Sequence, residues 1–492
     1  MTARVQEQRA YRKLVSALRQ KHGRATVADL SSETALPLET VRELVNTAAD
    51  EFSGRLEVTG SGEILYSFPR GFTSRYRGLG VSLRRAGRTC AGALRTAGTW
   101  LFKVWIMVML IGYFTLFAAL TLLTVFISIS ASRNRSSDRD RGGVHLDLSI
   151  ITLLMRMWFY SGLVEGPYRS GYRGRAYQRG SRVSGGKKPV YQAVFSFVFG
   201  DGDPNAGWTE REKKAVIAYI QAHRGVITLG EFMTLTGKNP SDAQRDISAY
   251  CVEFSGSPEV SAEGTLVFRF DRLLLRNSAV PSGFSPPRRA LRTFSSNPKK
   301  ANALFALVNG INLAFGSYFL FKSLTVGMLY TTAQAAAHGL YGVTFTFLGQ
   351  MAANPLPLIG AGLGMAPVAF SLFFWLIPCL RALYNKKENK KIQFENFRKE
   401  GYRLIWENPL LVRERDIGSG SGVGSGDSER DRDRVIKELG SYSGVDVSVD
   451  ERGETCYTFT ELKREKEAAE EYRASIDPQN AELGGTVFDS DG

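Results

Sequence analysis

The chain has 492 residues, of which 43% are apolar, 11% aromatic and 23% charged, a length typical of about three or four domains. Residues 104–130 carry no charge, and residues 323–380 carry none apart from the neutral His338. Disordered chains lack such long apolar runs, so this class is excluded. Because about 18 consecutive apolar residues are typical of a membrane span, a purely soluble protein is also disfavoured.

Catalytic and metal-binding signatures are absent from the sequence. The cysteines and histidines are scattered and no CxxC occurs, which argues against a zinc ribbon, a redox pair or a disulfide framework. The chain has no GxxxxGK[ST], no GxGxxG after a strand, no HExxH and no GxSxG. We therefore predict that the protein is not an enzyme, with no cofactor and no catalytic, cofactor-binding or metal-ligating residue.

The net charge of +15 is unevenly distributed. Residues 1–68 are neutral overall and residues 209–271 and 428–492 are acidic, so the excess lies beside the apolar runs. The basic clusters there are Arg75, Arg77, Arg84, Arg85, Arg88 and Arg95, then Arg288, Arg289, Arg292, Lys299 and Lys300, and finally Lys386, Lys387, Lys390 and Lys391. This positive-inside pattern places the flanks in the cytoplasm. It also predicts contact with the anionic headgroups of a lipid bilayer.

An internal repeat is the most informative feature of the sequence. Residues 9–68 align with residues 211–270 at a constant offset of 202, without a gap. The matching pairs include Glu51-Phe52-Ser53-Gly54 with Glu253-Phe254-Ser255-Gly256, Glu57-Val58 with Glu259-Val260, Gly62 with Gly264, Gly23 with Gly225, and Thr26 with Thr228. A partial third copy runs from Ser441-Tyr442-Ser443-Gly444 to Tyr457-x-Phe459, preceded by a helix near 430–440. The first two helices of a full copy are not evident there.

The pattern within each full copy predicts a small α+β domain. In the first copy, helical spacing predicts one helix ending near Gly23, a short one over 26–32 entered through Thr26, and a third over 39–51. Alternation over 56–58 and 64–68, separated by a Gly-Ser-Gly turn, predicts a β-hairpin. This order resembles a winged helix-turn-helix domain, and the resemblance covers the two copies but rests on no diagnostic motif.

The resemblance implies either DNA binding or protein interaction, and the charge of the third helix distinguishes between these two functions. DNA binding in the major groove needs Lys and Arg on that helix. The first copy instead carries Glu39, Glu43, Asp50 and Glu51 against Arg42, and the second carries Asp242, Asp246 and Glu253 against Arg245. We therefore favour protein interaction over sequence-specific DNA binding. The shared glycines and aromatics are interpreted as turn and core residues.

The apolar runs predict several membrane segments. Residues 104–130, 301–321 and 357–380 are long enough to cross a bilayer. Residues 148–164, which contain Arg156, are either a second, poorer span or an interfacial helix. Residues 325–352 are a further crossing, a re-entrant loop or a packed helix. Within the spans, Asn309, Asn312 and His338 are candidates for a polar path, but interhelical hydrogen bonds, with glycines allowing close packing, explain the two asparagines better.

The predicted organisation joins winged-helix-like modules to α-helical transmembrane segments. In chain order it is module 1 (1–72), a basic juxtamembrane linker (73–99), transmembrane segments (100–165), a Gly/Arg-rich linker (166–204), module 2 (205–275), a basic linker (276–300), a transmembrane block (301–384), a basic then Gly/Ser-rich linker (385–427), a partial module 3 with a charged helix (428–475), and an acidic tail that we expect to be frayed (476–492).

We predict a multi-pass protein of the cytoplasmic (inner) membrane, with its modules on the cytoplasmic side, that acts as a scaffold or regulator through protein partners. A membrane-tethered DNA-binding regulator is the alternative, and a transporter-like protein is the third reading. The partner, the process, the oligomeric state and the number of crossings are not specified by the sequence.

Overall fold

The computed structural model describes residues 3–68, 79–133, 189–278, 286–330, 356–417, 428–451, 453–477 and 483–490. The chain divides into two compact units. We call the first the module unit, which comprises Met1–Ala86, Asp203–Arg292 and Lys387–Gly492. The second is the apolar unit, which comprises Gly87–Gly202 and Thr293–Lys386.

Module 1 contains three helices and a small antiparallel sheet. Its elements are α1 (Ala3–Gln20), β1 (Arg24–Thr26), α2 (Val27–Thr34), α3 (Leu38–Phe52), β2 (Arg55–Thr59) and β3 (Ile64–Ser67), with the strand order β1-β3-β2. Thr26 and Asp29 form a reciprocal capping box that starts α2. Helix α3 ends where Ser53 adopts a left-handed conformation. These bounds agree closely with the helices and hairpin that the sequence predicts.

The apolar unit begins with a long helix, α4 (Leu79–Arg133), which includes most of the segment assigned above to a basic linker. A short helix, α5 (Val190–Phe199), follows. We had assigned this segment to a Gly/Arg-rich linker, but Val194 and Phe197 pack in an apolar cluster with Leu110 of α4. The guanidinium of Arg381 also donates to the carbonyl oxygens of Ser196 (3.2 Å) and Phe197 (2.7 Å), at the end of α5.

Module 2 has the same element order as module 1. Its elements are α6 (Trp208–Ala222), β4 (Val226–Thr228), α7 (Leu229–Thr236), α8 (Pro240–Phe254), β5 (Ser257–Val260) and β6 (Leu266–Arg269), with the strand order β4-β6-β5. Local geometry recurs at the same offset of 202 residues. The Phe68 amide donates to Gly23 O at 2.7 Å, and the Phe270 amide donates to Gly225 O at 2.8 Å. Both glycines have φ near +80°, a conformation that favours glycine.

The apolar unit continues with α9 (Lys299–Tyr330) and a π-helical segment (Leu356–Met365) that leads into α10 (Ala366–Glu407). The described residues contain three helices long and apolar enough to cross a membrane, at 96–127, 299–323 and within 360–407. In the third of these helices, the uncharged apolar segment stops at Leu380, just before Arg381. Beyond Lys386 the same helix belongs to the module unit, where Ile392, Phe397 and Tyr402 are buried.

Module 3 is therefore more complete than the sequence predicts. The end of α10 takes the place of a first helix, so residues 387–407 are not a linker, and module 3 begins at Lys387. It continues with β7 (Val412–Arg413), a 3-10 turn (Glu414–Asp416), α11 (Ser428–Ser443), β8 (Asp446–Val449), β9 (Thr455–Thr458) and α12 (Thr460–Ser475). Its strand order, β7-β9-β8, matches that of the other two sheets.

The end of the acidic tail differs from the frayed segment we expected. Residues Thr486–Asp489 form β10, which pairs antiparallel with β2 and adds a fourth strand to the sheet of module 1. The Gly60 amide donates to Gly485 O at 2.8 Å. Val487 and Phe488 remain exposed, so backbone hydrogen bonds rather than side-chain burial hold this strand.

The three modules share one hydrophobic core. Buried residues of modules 1, 2 and 3, among them Leu14, Ile217 and Phe459, belong to a single cluster of contacting side chains. The modules therefore pack together into one body and are not separate domains joined by flexible linkers. Residues 148–164, 166–188, 331–355 with His338, and 418–427 of the Gly/Ser-rich stretch lie outside the described residues.

Candidate functional site: the exposed third helices and the joints between modules

The exposed face of α3 is acidic, as the sequence predicts. Glu39, Glu43 and Asp50 are exposed along it. The one basic residue of the helix, Arg42, is bound by the Glu39 carboxylate at 3.0 Å. Because this arginine is already paired and carboxylates surround it, the helix has little capacity to bind phosphate groups.

The third helix of module 2, α8, presents a different face. Its exposed residues are mostly small or polar, together with one highly exposed valine: Ser241, Gln244, Arg245, Ser248, Ala249 and Val252. Arg245 is bound by Asp242 at 2.9 Å. Because Arg245 is the one basic residue of this helix and is paired, the face carries little unpaired positive charge.

The first joint links module 1 to the segment that follows module 2. Asp29, the capping residue of α2, is 1% exposed. Its carboxylate accepts hydrogen bonds from the amides of Asn277 (2.9 Å) and Ser278 (3.2 Å) and from the Ser278 hydroxyl. The Thr26 hydroxyl donates to Leu275 O at 2.8 Å, and the guanidinium of Arg276 lies 3.9 Å from Asp29. One carboxylate thus caps a helix and binds a segment about 250 residues further along.

The second joint links module 2 to α12 of module 3 through the equivalent residue. Glu231, at the offset of 202 from Asp29, caps α7 and is 3% exposed. It is ion-paired with Arg473, whose guanidinium also donates to Val226 O at 3.0 Å. The Tyr219 hydroxyl donates to the same carboxylate at 2.8 Å. Both joints therefore use the capping carboxylate of a second helix to bind residues that follow the β-hairpin of the next module.

A second buried carboxylate of module 3 reinforces this joint. Glu465 of α12 accepts from the Gly230 amide at 2.8 Å and from the Tyr442 hydroxyl at 2.9 Å. Burial raises the pKa of the Glu465 carboxyl above its ordinary range, against the lowering effect of these hydrogen bonds. A Cβ on Gly230 would lie 2.5 Å from the Trp406 ring. The glycine is thus needed for α7 to approach module 3 this closely.

Neither joint is predicted from the sequence, although the sequence contains a signal for both. Thr26-x-x-Asp29 and Thr228-x-x-Glu231 are capping-box patterns at equivalent positions of the repeat. The local pattern explains a helix start, but it does not reveal that each acid is buried by a distant segment.

In the apolar unit, the polar residues predicted within the spans are engaged between helices. Asn309 and Asn312 are fully buried. Their amide nitrogens donate to Ser371 O (3.1 Å) and Leu110 O (2.8 Å), on the other two candidate spans. This agrees with helix packing as the interpretation of the two asparagines. His338, the third candidate for a polar path, lies outside the described residues.

The glycines at 360–364 support close helix packing. A Cβ on Gly364 would lie 2.8 Å from Leu320 Cα of α9, whereas nothing lies within 4 Å of a Cβ on Gly362. We expect Gly364→Ala to destabilise the protein in detergent by about 1–3 kcal/mol, because the backbone of α9 must move away. Gly362→Ala is the matched control. Equal thermal unfolding temperatures for the two variants would show that this contact does not limit the packing.

Among the described residues, no group of three or more His, Cys, Asp or Glu side chains is arranged to hold a metal ion.

These features define the class of protein: a mixed helical and antiparallel-sheet chain that carries three helices able to span a membrane. The chain is similar to an uncharacterised chloroplastic protein of Arabidopsis thaliana, with 23% identity over 415 residues, which cover 80% of this chain and 72% of the plant protein. No family model and no solved structure matches the chain significantly.

Proposed function

We propose that the protein is a multi-pass membrane scaffold whose three modules are winged-helix-like domains that arose by duplication. In this proposal the modules act as one rigid body, beside the bilayer, to dock protein partners. The observation that carries the proposal is the exposed third helices, whose arginines are neutralised by neighbouring carboxylates. The shared element order, the equivalent capping boxes and the identical strand orders support a common origin of the modules.

The common core supports a topology for the chain. Because the three modules pack against one another, they lie on the same side of the membrane, so the chain crosses an even number of times between consecutive modules. In this proposed topology, helices α9 and α10, which are long and apolar enough to cross a membrane, supply two crossings between modules 2 and 3. The Lys and Arg clusters beside the spans favour the cytoplasmic side, or its equivalent in an organelle, for the modules.

We expect the full chain in nanodiscs of anionic lipid, which engages the basic clusters beside the spans, to show no binding to random duplex DNA at about physiological salt. A protein that makes several phosphate contacts binds DNA with an affinity that falls steeply with salt, and acidic faces oppose such contacts. Fluorescence anisotropy of labelled DNA over a salt series measures this. The variant Glu39→Lys/Glu43→Lys/Asp50→Lys, which makes the α3 face basic, is the positive control and should bind in a salt-dependent manner.

A photo-crosslinking amino acid that replaces Gln244, on the exposed face of α8, identifies the class of partner. In native membranes we expect adducts that are sensitive to protease and resistant to nuclease, while the same residue at Glu467, exposed on α12, should give fewer. Nuclease-sensitive adducts, or DNA binding by the unmodified chain, would contradict the proposal and favour a membrane-tethered DNA-binding regulator.

A further inference from the structure

A small cavity of about 120 Å³ lies within the module unit, where α7, the segment after module 2 and α10 meet. Its lining is mostly basic and polar: Thr234, Pro286, Arg288, Lys399, Glu400 and Arg403. The cavity is independent of the exposed third helices and of the two joints.

Lys399 is the most unusual residue of this lining. It is 6% exposed, and its ammonium donates to Pro287 O at 2.8 Å and lies 5.8 Å from the centre of the Trp208 ring. None of the ion pairs among the described side chains involves this ammonium. A buried cation is costly unless an anion compensates it. Accordingly, burial lowers the pKa of Lys399 to about 8.

The carboxylates around the cavity are already engaged with other cations. The two oxygens of Glu400 are bound by separate arginines, Oε1 by Arg403 at 2.7 Å and Oε2 by Arg288. Glu212, whose negative charge opposes the lowering of the pKa of Lys399, is ion-paired with Lys238 at 3.2 Å. Three cations therefore face the cavity with Glu400 between two of them, and Arg403 is also paired with Glu407 at 3.3 Å. The excess of positive charge lies at Lys399.

We propose that this cavity binds a small, doubly charged oxyanion: free phosphate or the phosphate group of a small ester. The ammonium of Lys399 would supply the buried charge, and the arginines would supply further donors in the fixed geometry that suits a tetrahedral oxyanion. The volume admits a single such group. Because the lining comes from modules 2 and 3, the bound anion would also stabilise their association, since a ligand that binds only the folded state stabilises it.

Isothermal titration calorimetry of the full chain in neutral detergent tests the proposal. Inorganic phosphate is the probe, and chloride at equal ionic strength is the reference. We expect phosphate binding, and a dissociation constant at least about tenfold higher in Lys399→Met and in Arg403→Gln, because each loses a charge-assisted hydrogen bond. Arg403 is half-exposed, so its variant remains informative if Lys399→Met folds poorly. Arg464→Gln, at an exposed arginine of α12, is the matched control.

A pH series with sulfate, which stays doubly charged throughout, isolates the role of Lys399. The charged groups that face this lysine are Glu212, Lys238, Arg288, Glu400 and Arg403. Without a bound anion, the Lys399 ammonium has a pKa of about 8. Because sulfate binds the charged ammonium, its affinity should be constant well below that pH and fall between about pH 8 and about pH 10. Lys399→Met should remove this dependence.

The same titration with glycerol 3-phosphate identifies the source of the anion. Tighter binding of the ester indicates a small phosphate ester, and tighter binding of the inorganic ion indicates free phosphate. Heats equal to those of chloride, or unchanged phosphate affinity in both Lys399→Met and Arg403→Gln, would overturn the proposal.

Discussion

Replacing Asp29 with alanine should lower the free energy of unfolding of the module unit by about 3–5 kcal/mol, the cost of removing one partner of a buried charge pair. The substitution removes the acceptor of the Asn277 and Ser278 amides and leaves the buried guanidinium of Arg276 without its nearby carboxylate. It also removes one half of the capping box of α2. Urea denaturation of the full chain in detergent measures the change.

Amide hydrogen exchange locates the effect. Because the Asn277 and Ser278 amides donate directly to Asp29, their protection should fall by at least about a hundredfold in Asp29→Ala. Glu43→Ala, at an exposed carboxylate of α3, is the matched control and should change stability by no more than about 0.5 kcal/mol. Equal denaturation midpoints for the two variants would show that the carboxylate does not hold the joint.

The parts of the fold that the sequence predicts well are those specified by local pattern. The third helix expected over 39–51 is observed at Leu38–Phe52, and the short helix entered through Thr26 at Val27–Thr34. Spacing of apolar residues and the capping Thr26 define these elements without distant contacts. The positions of the polar and apolar faces follow from the same periodicity.

Elements that depend on tertiary packing were missed. The ten residues of α5 are too few for a span and follow a Gly/Arg-rich stretch, so only their packing against α4 identifies them as part of the apolar unit. The lysines after Leu380 were interpreted as the end of a membrane segment, whereas α10 continues to Glu407 because its later apolar residues are buried in the module unit. Strand β10 depends on pairing with β2, more than 400 residues earlier.

The candidate sites also differ in whether local sequence pattern is enough to predict them. The acidic face of α3 could be predicted because charge and helical spacing are both local. The joints and the cavity could not, because Asp29, Glu231 and Lys399 acquire their roles from burial by segments distant in sequence. A capping acid at the surface and one that binds a second module look alike in a single sequence.

Replacing Arg473 with methionine should destabilise the second joint by a similar amount, about 3–5 kcal/mol, because the Glu231 carboxylate would remain buried without its counter-ion. The bonds that Glu231 accepts from the Thr228 amide (3.1 Å) and the Tyr219 hydroxyl (2.8 Å) would persist, whereas the counter-ion and its bond to Val226 O would both be lost. Lys463→Met, which removes an exposed cation of the same helix, should have little effect on the denaturation midpoint.

A double-mutant cycle distinguishes this ion pair from simple loss of packing. Glu231→Gln keeps one oxygen to accept from the Thr228 amide, and its NH2 group can donate to the Tyr219 hydroxyl oxygen in place of the second carboxylate oxygen. The glutamine carries no charge, so in the double variant with Arg473→Met no buried charge is left uncompensated. We therefore expect the double variant to recover most of the loss of Arg473→Met, with an interaction energy of about 1–3 kcal/mol. Additive losses would mean that Arg473 stabilises the joint through its packing and its bond to Val226 O alone. In that case the capping carboxylates of the two modules would have different roles, because only Asp29 would bind the following segment through its charge.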